Sequence, residues 1–573
     1  MTNRSQSSSS DKAPDTHTSA IASGVKDTFE QIIIAFIIAF VFRAYIVEAF
    51  VIPTGSMAPT LLGEHIRISC RQCGYRFVVD PSDTSRSVLR DVNGVQVRTT
   101  KITHPDVVVI CPMCLYDNHV PKGTRVRTGD RILVLKYVYN FSEPQRFDVV
   151  VFKNPSMLPQ GSIRRRESDK PLENYIKRLV GLPNERLCFV DGNLYTQSML
   201  KPDAPWRIVR KSDRPEVQRA VWQPIYHSEY VPLDGGTATG GGTGRQLTWS
   251  NPWVARAPTH EHWRLGTARD YRYDHDEPGE IQFSFSAARM AQFNRSSVWY
   301  PYNQHKVPFV RGFRTSHREP VEDIRIACTV VPDTEGLSLT LRTTARIDSP
   351  DGQMLVLAAN ISAQGAATIT SRPMTSADQR TIASARGRPF KAHRPARVEL
   401  WYVDEQASLW IDGKRVIRHD IDLPIEQVHM RAAPTHPPDV RIKVAGSPVT
   451  LLQVHVDRDI YYSGMDASGN PARGAYFHGQ NPNLFVPVQL GADQFFCVGD
   501  NTPMSLDGRY WNKVNDWVAA RTRSMQGTAD PLGKVPRELM LGRAFYVYWP
   551  APYSLKSHGL GILPNHGDRR FIR

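Results

Sequence analysis

A continuous apolar run near the N-terminus limits what this chain can fold into more than any other feature. It covers residues 32–42 and is bounded by Gln31 and Arg43. A membrane-spanning helix needs about 20 apolar residues, so the run crosses a bilayer only within a longer helix over residues 26–45. Arg43 and Tyr45 would then meet the headgroups. A cleaved signal sequence and a buried core helix are the alternatives, and the absence of a small-x-small site directly after the run disfavours the first.

The residues before the anchor and the overall charge add two expectations. Residues 1–25 are rich in Ser, Thr and Asp and predict a flexible tail. The formal charge of +15 suits anionic lipid headgroups or nucleic acid. No RNA- or DNA-binding motif accompanies it, so we predict membrane lipids and no nucleic acid as partners. A solvated basic surface without a dedicated partner is the alternative.

A rigid loop follows the anchor. Residues 46–52 are rich in β-branched side chains and predict a strand, which leads into Pro53-Thr54-Gly55-Ser56-Met57-Ala58-Pro59. The prolines fix φ, and Gly55 lets another backbone approach closely. The loop can present the Ser56 hydroxyl as a nucleophile, with the Ser56 N–H and the Thr54 hydroxyl as an oxyanion hole. A polar turn without chemistry is the alternative.

Two later blocks supply partners for this serine. Tyr175-Ile176-Lys177-Arg178-Leu179 places a lysine among strand-forming residues. Burial there would lower the pKa of Lys177 and let its amine act as a general base, whereas a solvated strand lysine would have no such role. Residues 499–509 form a polar turn rich in hydrogen-bonding groups.

The order of these blocks resembles that of the type I signal peptidases. The anchor, the Ser56 loop, Gly129-Asp130-Arg131, the Lys177 strand and the 499–509 turn all follow the family order, over roughly residues 26–66, 124–197 and 485–550. The resemblance implies a β catalytic core built from parts 46–66, 124–197 and 485–550, and a serine endopeptidase that uses no cofactor in catalysis. Its implied residues are the nucleophile Ser56, the general base Lys177, the oxyanion groups Thr54 and Ser56, and the supporting residues Ser505, Asp507, Arg509, Asp500 and Arg178.

The same resemblance implies a location and a substrate. The N-terminus would be cytoplasmic, and the catalytic domain would lie on the outer face of the cytoplasmic membrane. The substrates would be secretory preproteins with small-x-small cleavage sites. Thr502 and Gly508 depart from the family pattern, which usually has Arg and often has Ser at these positions, and this puts the rigidity of the supporting loop in doubt.

Four of the seven cysteines form two Cys-x-x-Cys pairs within residues 67–123, namely Cys70, Cys73, Cys111 and Cys114. Four thiolates fill the tetrahedral shell of a structural zinc, and the segment resembles an inserted zinc ribbon. Two disulfides are the alternative, because an exterior location permits oxidation. Cys188, Cys328 and Cys497 lie in apolar runs and are predicted to be buried.

Residues 198–484 leave the family pattern. Evenly spaced strand patterns over 324–331, 337–342, 353–360, 398–403, 408–411 and 449–456 predict a β-sandwich at about 320–465, similar to concanavalin/laminin-G-like jelly rolls. Trp401, Trp410, Tyr461 and Tyr462 are either core residues or surface contacts for glycans or envelope proteins. Residues 541–550 predict a closing strand, and the C-terminal tail 551–573 is expected to be loose.

The sequence therefore predicts a mainly β protein with an N-terminal anchor helix, a signal-peptidase-type core, a zinc ribbon and a β-sandwich insert. Two other functions stay open at this point. One is a catalytically silent, anchored relative whose insert binds glycans or envelope proteins. The other is a soluble Ser/Lys self-cleaving regulator, which the anchor argues against.

Overall fold

The computed structural model describes most of the chain. The described residues are 16–80, 89–90, 96–97, 107–114, 116–121, 124, 126–156, 173–233, 249–265, 269–285, 320–346, 354–430, 437–465, 471–476, 485–520, 530–551 and 568–573. The fold is mainly β with one long N-terminal helix, which confirms the predicted class.

The N-terminal helix, α1 (Thr16–Tyr45), is longer than predicted. Its stretch Thr28–Tyr45 has a mean hydropathy of 1.7 and no buried residue, so its length and composition suffice to cross a membrane. The helix begins at Thr16 and not at residue 26, because extending an existing helix costs far less than starting one. The helix thus includes residues 16–25 of the predicted tail, and residues 1–15 lie outside the described residues.

An eight-stranded sheet, here called the core sheet, follows α1. The strands are β1 (Val47–Val51), β8 (Arg131–Leu135), β9 (Val149–Lys153), β10 (Asn174–Gly181), β30 (Gln494–Val498), β31 (Val535–Pro536), β32 (Met540–Trp549) and β33 (Arg570–Phe571). Their order is β1-β8-β32-β9-β10-β30-β31, with β33 paired to β32. Buried and half-buried residues alternate along β8, whereas every residue of β30 is buried. The short helix α2 (Val138–Phe141) lies between β8 and β9.

A four-stranded sheet continues from the core sheet, in the order β13-β12-β11-β29. Its strands are β11 (Glu185–Val190), β12 (Asn193–Ser198), β13 (Arg207–Ile208) and β29 (Val488–Gln489). The two sheets share an apolar cluster that includes Val180, Leu187, Phe189, Phe496 and Val498.

The four-cysteine segment consists of short two-stranded hairpins. They are β2 (Ile66–Ser69) with β3 (Arg76–Val79), β4 (Leu89–Arg90) with β5 (Gln96–Val97), and β6 (Val107–Ile110) with β7 (Asp117–Val120). The first and last hairpins carry the cysteine pairs at their turns. Tyr75 packs edge-on against Tyr230 at 4.8 Å between ring centroids, so this segment docks on the insert.

Two antiparallel sheets of eight and seven strands form the bulk of the insert and share one apolar core. One contains β14 (Gln223–His227), β16 (Trp263–Arg264), β17 (Tyr271–Tyr273), β19 (Ile324–Pro332), β24 (Ala396–Val403), β25 (Gln406–Ile411), β26 (Lys414–Asp420) and β28 (Val449–Arg458). The other contains β15 (Trp253–Ala255), β18 (Gly279–Phe283), β20 (Ser338–Ala345), β21 (Leu355–Ile361), β22 (Ala366–Pro373), β23 (Arg380–Arg386) and β27 (Arg441–Ala445). Helices α3 (Pro215–Val221) and α4 (Ile425–Met430) place apolar side chains in clusters with residues of the four-stranded sheet.

The two sheets begin earlier than the predicted start at about 320. Strands β14 to β18 have two to five residues each, too few to give a periodic pattern. Trp401, Trp410 and Tyr462 are buried, which confirms their core interpretation. The Arg219 guanidinium covers both indoles at 4.7 and 5.0 Å from the ring centroids.

The end of the chain packs against the core sheet. Strand β33 pairs with β32, and Ile572 packs in the apolar cluster of Ile52, Met57 and Leu61. Arg570 Nη2 donates to Thr60 O at 2.8 Å. The expectation of a loose tail is therefore wrong over residues 568–573, because backbone pairing and a buried apolar contact hold them; residues 552–567 lie outside the described residues.

Candidate active site

Close packing at two glycines and hydrogen bonds to Asp130, directly before strand β8, hold the Ser56 loop in place. Strand β1 leads into a 3₁₀ turn, Gly55–Met57. The Ile52 N–H donates to Asp130 O at 2.9 Å, and Leu62 N donates to Asp130 Oδ2 at 3.0 Å. A Cβ on Gly63 would lie 2.2 Å from the Thr54 carbonyl carbon, and one on Gly129 would lie 1.6 Å from Ile52 O. Only glycine fits either position.

The structure brings Ser56 and Lys177 together, 121 residues apart in sequence. The Lys177 Nζ lies 2.5 Å from Ser56 Oγ. Strand β10 places Lys177 opposite Val150, and only 3% of the lysine is exposed. Burial lowers the pKa of Lys177 from 10.5 to about 8, against the opposing effect of the negative charge of Asp507. A neutral amine is therefore accessible near physiological pH.

The 499–509 turn, here called the supporting loop, closes over the serine. Asn501 N donates to Ser56 O at 3.1 Å, and Asn501 Nδ2 donates to Gly55 O at 3.0 Å. A Cβ on Gly499 would lie 2.5 Å from Ser56 O and 2.1 Å from Ser505 Oγ. Asn501 and Gly499 were missed as individual residues by sequence reasoning, although both stand in the Gly-Asp-Asn block that it singled out.

The four charged residues among the predicted supporting residues form two fully buried ion pairs. Arg178 donates to the two Asp500 oxygens at 2.7 Å each. Arg509 donates to Asp507 at 2.9 and 2.8 Å, and Gly499 N donates to Asp507 Oδ2 at 2.8 Å. Although burial acts to raise the pKa of Asp507, Arg509 holds it below its usual value. Thr60 Oγ1 donates to Asp500, which ties the ion pair to the Ser56 loop.

Thr54 and Ser505, the remaining predicted site residues, differ in whether they contact the Ser56/Lys177 pair. Thr54 Oγ1 donates to Ser56 Oγ at 3.5 Å, so the two predicted oxyanion residues are in contact. Ser505 is buried, and within the described part of the chain its Oγ has no hydrogen-bond partner. The structure therefore contains no hydrogen bond from Ser505 to Lys177 among the described residues.

The two departures from the family pattern have local physical reasons. Thr502 begins a 3₁₀ turn, Thr502–Met504, and its hydroxyl donates to Tyr461 O. A Cβ on Gly508 would lie 2.5 Å from Gly533 O and 3.1 Å from Cys497 O. A serine would not fit at position 508 without displacing backbone.

The four paired cysteines meet in one buried cluster. Cys70 Sγ lies 3.5 Å from Cys114 Sγ, Cys73 Sγ lies 3.6 Å from Cys111 Sγ, and all four sulfurs are within 4.8 Å of one another. Tetrahedral zinc with bonds of 2.3 Å separates its sulfurs by about 3.8 Å, whereas a disulfide needs about 2.05 Å. The donor set and spacing fit a structural metal with no open position. Cys188, Cys328 and Cys497 are buried thiols, as predicted.

Comparisons with known proteins agree with the peptidase part. The family model described as signal peptidase, peptidase S26, matches residues 25–119 and 122–221. A curated Synechocystis protein, "Probable signal peptidase I-2", is 29% identical over 116 residues, which are 20% of this chain and 38% of that relative. These matches support a signal peptidase. The shared region includes less than half of the relative's length, and the family match contains Ser56 and Lys177 but not the supporting loop.

Solved structures resemble the chain only weakly. The carbohydrate-binding module CBM66 from Bacillus subtilis covers 36% of this chain and 96% of its own, with 10% identity and a TM-score of 0.21. The galectin LEC-6 of Caenorhabditis elegans covers 24% of this chain and 81% of its own, with 14% identity and a TM-score of 0.15. Nothing about this chain follows from scores below 0.5.

Proposed function

We propose that this protein is a membrane-bound serine endopeptidase that removes signal peptides from secreted preproteins with a Ser56/Lys177 dyad. The observation that carries the proposal is the 2.5 Å contact between a buried lysine amine and the Ser56 hydroxyl. A hydroxyl attacks a peptide carbonyl only after a base takes its proton, and a neutral buried amine can do so.

The reaction would proceed in two balanced steps. Lys177 takes the Ser56 proton while Oγ attacks the scissile carbonyl, and the ammonium then protonates the leaving amine as the C–N bond breaks. A water that Lys177 deprotonates then attacks the ester carbonyl, the C–Oγ bond breaks, and the Lys177 ammonium returns the proton to Ser56 Oγ as the carboxylate product leaves. The Ser56 N–H and the Thr54 hydroxyl would stabilise the oxyanion of both tetrahedral intermediates. Asp500 with Arg178, and Asp507 with Arg509, would fix the supporting loop, and Ser505 would orient the amine once substrate excludes water.

Location and metal complete the proposal. Helix α1 is long and apolar enough to cross a membrane. It would anchor the protein with the N-terminus in the cytoplasm and the catalytic domain outside. Cys70, Cys73, Cys111 and Cys114 would hold a structural zinc that takes no part in the reaction. The alternative function, glycan binding by the insert, has less support than the peptidase function. Trp401 and Trp410, which could have stacked on sugars, are buried under Arg219.

The test uses the full chain reconstituted in lipid vesicles, because the substrate is proposed to be delivered at the membrane. A preprotein with Ala at the first and third positions before the cut should be cleaved at one site into two products, whose masses locate that site. The same preprotein with Leu at both positions is the matched control and should be cut at least about tenfold more slowly. Equal cleavage of both preproteins, or cleavage elsewhere, would contradict the proposed specificity.

A further inference from the structure

We infer that residues 459–463 (the exit segment), which follow the last strand of the insert's two sheets, position the supporting loop against Ser56 and Lys177. The insert would then be an integral part of the active site and not a tethered module. This inference rests on the proposed peptidase function and deepens it.

The first residue of the exit segment is fixed by a buried charge. Asp459 lies 2.9 Å from Lys211 Nζ and accepts a hydrogen bond of 2.7 Å from Gln218 Nε2. Lys211 also pairs with Asp404 of the insert. Lys211 precedes α3, where the chain enters the insert, so this network joins the entrance and the exit of the insert. An isolated buried charge is costly, and each member therefore holds the others in place.

The middle of the exit segment packs in the peptidase core. Ile460 and Tyr462 belong to the apolar cluster of Phe189 and Phe496, and the Phe189 and Tyr462 ring centroids are 5.6 Å apart. Tyr462 N donates to Gly192 O at 3.3 Å. A Cβ on Gly192 would lie 2.3 Å from the Tyr461 ring, so the hairpin between β11 and β12 accepts the segment only because it turns at glycine. The backbone of the exit segment is thus held on both sides.

Two carbonyls of this fixed backbone receive the supporting loop. Tyr461 O accepts a hydrogen bond from Thr502 Oγ1. Ser463 O accepts hydrogen bonds of 3.1 Å from both Arg509 Nη1 and Tyr510 Oη. A carbonyl that is shielded from water needs donors, and here they are Thr502 and Arg509 of the supporting loop and Tyr510 directly after it.

The contacts continue from these carbonyls to the reacting groups. The Arg509 guanidinium that reaches Ser463 O also donates to Thr502 O at 3.0 Å and to Asp507. Asp507 accepts from Gly499 N, and Gly499 packs on Ser56 O. Thr502, which departs from the family pattern, is therefore the residue through which the Tyr461 carbonyl of the insert holds the supporting loop.

The test uses the full chain with two substitutions that remove one hydroxyl each, Thr502→Val and Tyr510→Phe. The matched control is Thr370→Val, because Thr370 and Thr502 are both 4% exposed and both donate to a carbonyl, Thr370 to Ala358 O within the insert. We expect hydrogen exchange of the Gly499 and Asn501 amides to accelerate at least about tenfold in the two loop variants and to stay unchanged in the control.

Activity gives the second readout. Water that enters beneath a loosened loop would resolvate Lys177, so kcat should fall about tenfold and the acidic limb of its pH profile should move to higher pH, with KM little changed. Unchanged exchange and an unchanged pH profile in Thr502→Val and Tyr510→Phe would overturn the inference even if both variants unfold more easily. Equal preprotein cleavage by wild type and Ser56→Ala would instead refute the peptidase function, while the exchange data would still decide whether the exit segment holds the loop.

Discussion

The pH dependence of cleavage follows from the burial of one amine. Lys177 has a pKa of about 8, and a solvated lysine has one near 10.5. At pH 7 about 9% of the Lys177 amine would be neutral, against about 0.03% of a solvated lysine, so burial raises the active fraction about 300-fold. This factor corresponds to about 3 kcal/mol, which the fold must supply to keep the amine out of water.

The assay is kcat/KM for a preprotein that has no titratable group near the cleavage site, measured from pH 5.5 to 10 with the full chain in vesicles. We expect log kcat/KM to rise with unit slope up to about pH 8 and then to level off. Lys153→Met is the matched control, because Lys153 lies on the neighbouring strand β9, and its profile should match that of the wild type. A log kcat/KM that still rises with unit slope beyond pH 9.5, or that is flat between pH 6 and 8, would refute the reasoning.

Three further predictions come from the same structure. At pH 7 the free energy of unfolding of Lys177→Met should exceed that of the wild type by up to about 3 kcal/mol. The reason is that the native pKa of Lys177 is lowered, so the unfolded wild-type chain binds more protons than the native one between pH 8 and 10.5. In urea unfolding this gain should disappear as pH rises through that window, and a gain that persists at pH 10.5 would contradict the reasoning. Gly499→Ala should reduce kcat about 100-fold, since its Cβ would lie 2.5 Å from Ser56 O, and a normal kcat would show that the loop can shift freely. We expect elemental analysis to find one zinc per chain in the wild type and in the control Cys328→Ser, and none in Cys111→Ser. Wild-type protein with no metal and no free thiols at the paired cysteines would instead indicate disulfides.

The sequence predicted the residues that meet in the site better than it predicted what surrounds them. The residue types in three short sequence blocks indicate a nucleophile, a base and ion pairs. The structure brings these groups together as Ser56, Lys177 and the two buried ion pairs. The backbone carbonyls of Tyr461 and Ser463 could not be predicted, because a carbonyl belongs to every residue and its partners depend on where the insert docks. Gly63 gave no signal either, and the block that contains Gly129 gave no reason for its glycine, since only tertiary contact shows that a Cβ would collide at these positions.

The insert shows the same division between local and tertiary information. Its longer strands, such as β19 and β28, have enough residues for an alternating pattern and were predicted within one or two residues of their bounds. Strands β14 to β18 are short and were missed, because their pairing partners, and not their own sequence, make them strands. The C-terminal residues were expected to be loose for the same reason, and β32 is the partner that orders β33.

The central claim is that the Lys177 amine makes the Ser56 hydroxyl attack a peptide bond. Single-turnover cleavage of one preprotein by wild type, Ser56→Ala and Lys177→Ala tests it most directly, with the folding of each variant checked by circular dichroism. We predict that both folded variants lose at least about 10³-fold in rate. A folded Lys177→Ala or Ser56→Ala protein that cleaves at close to the wild-type rate would contradict the claim.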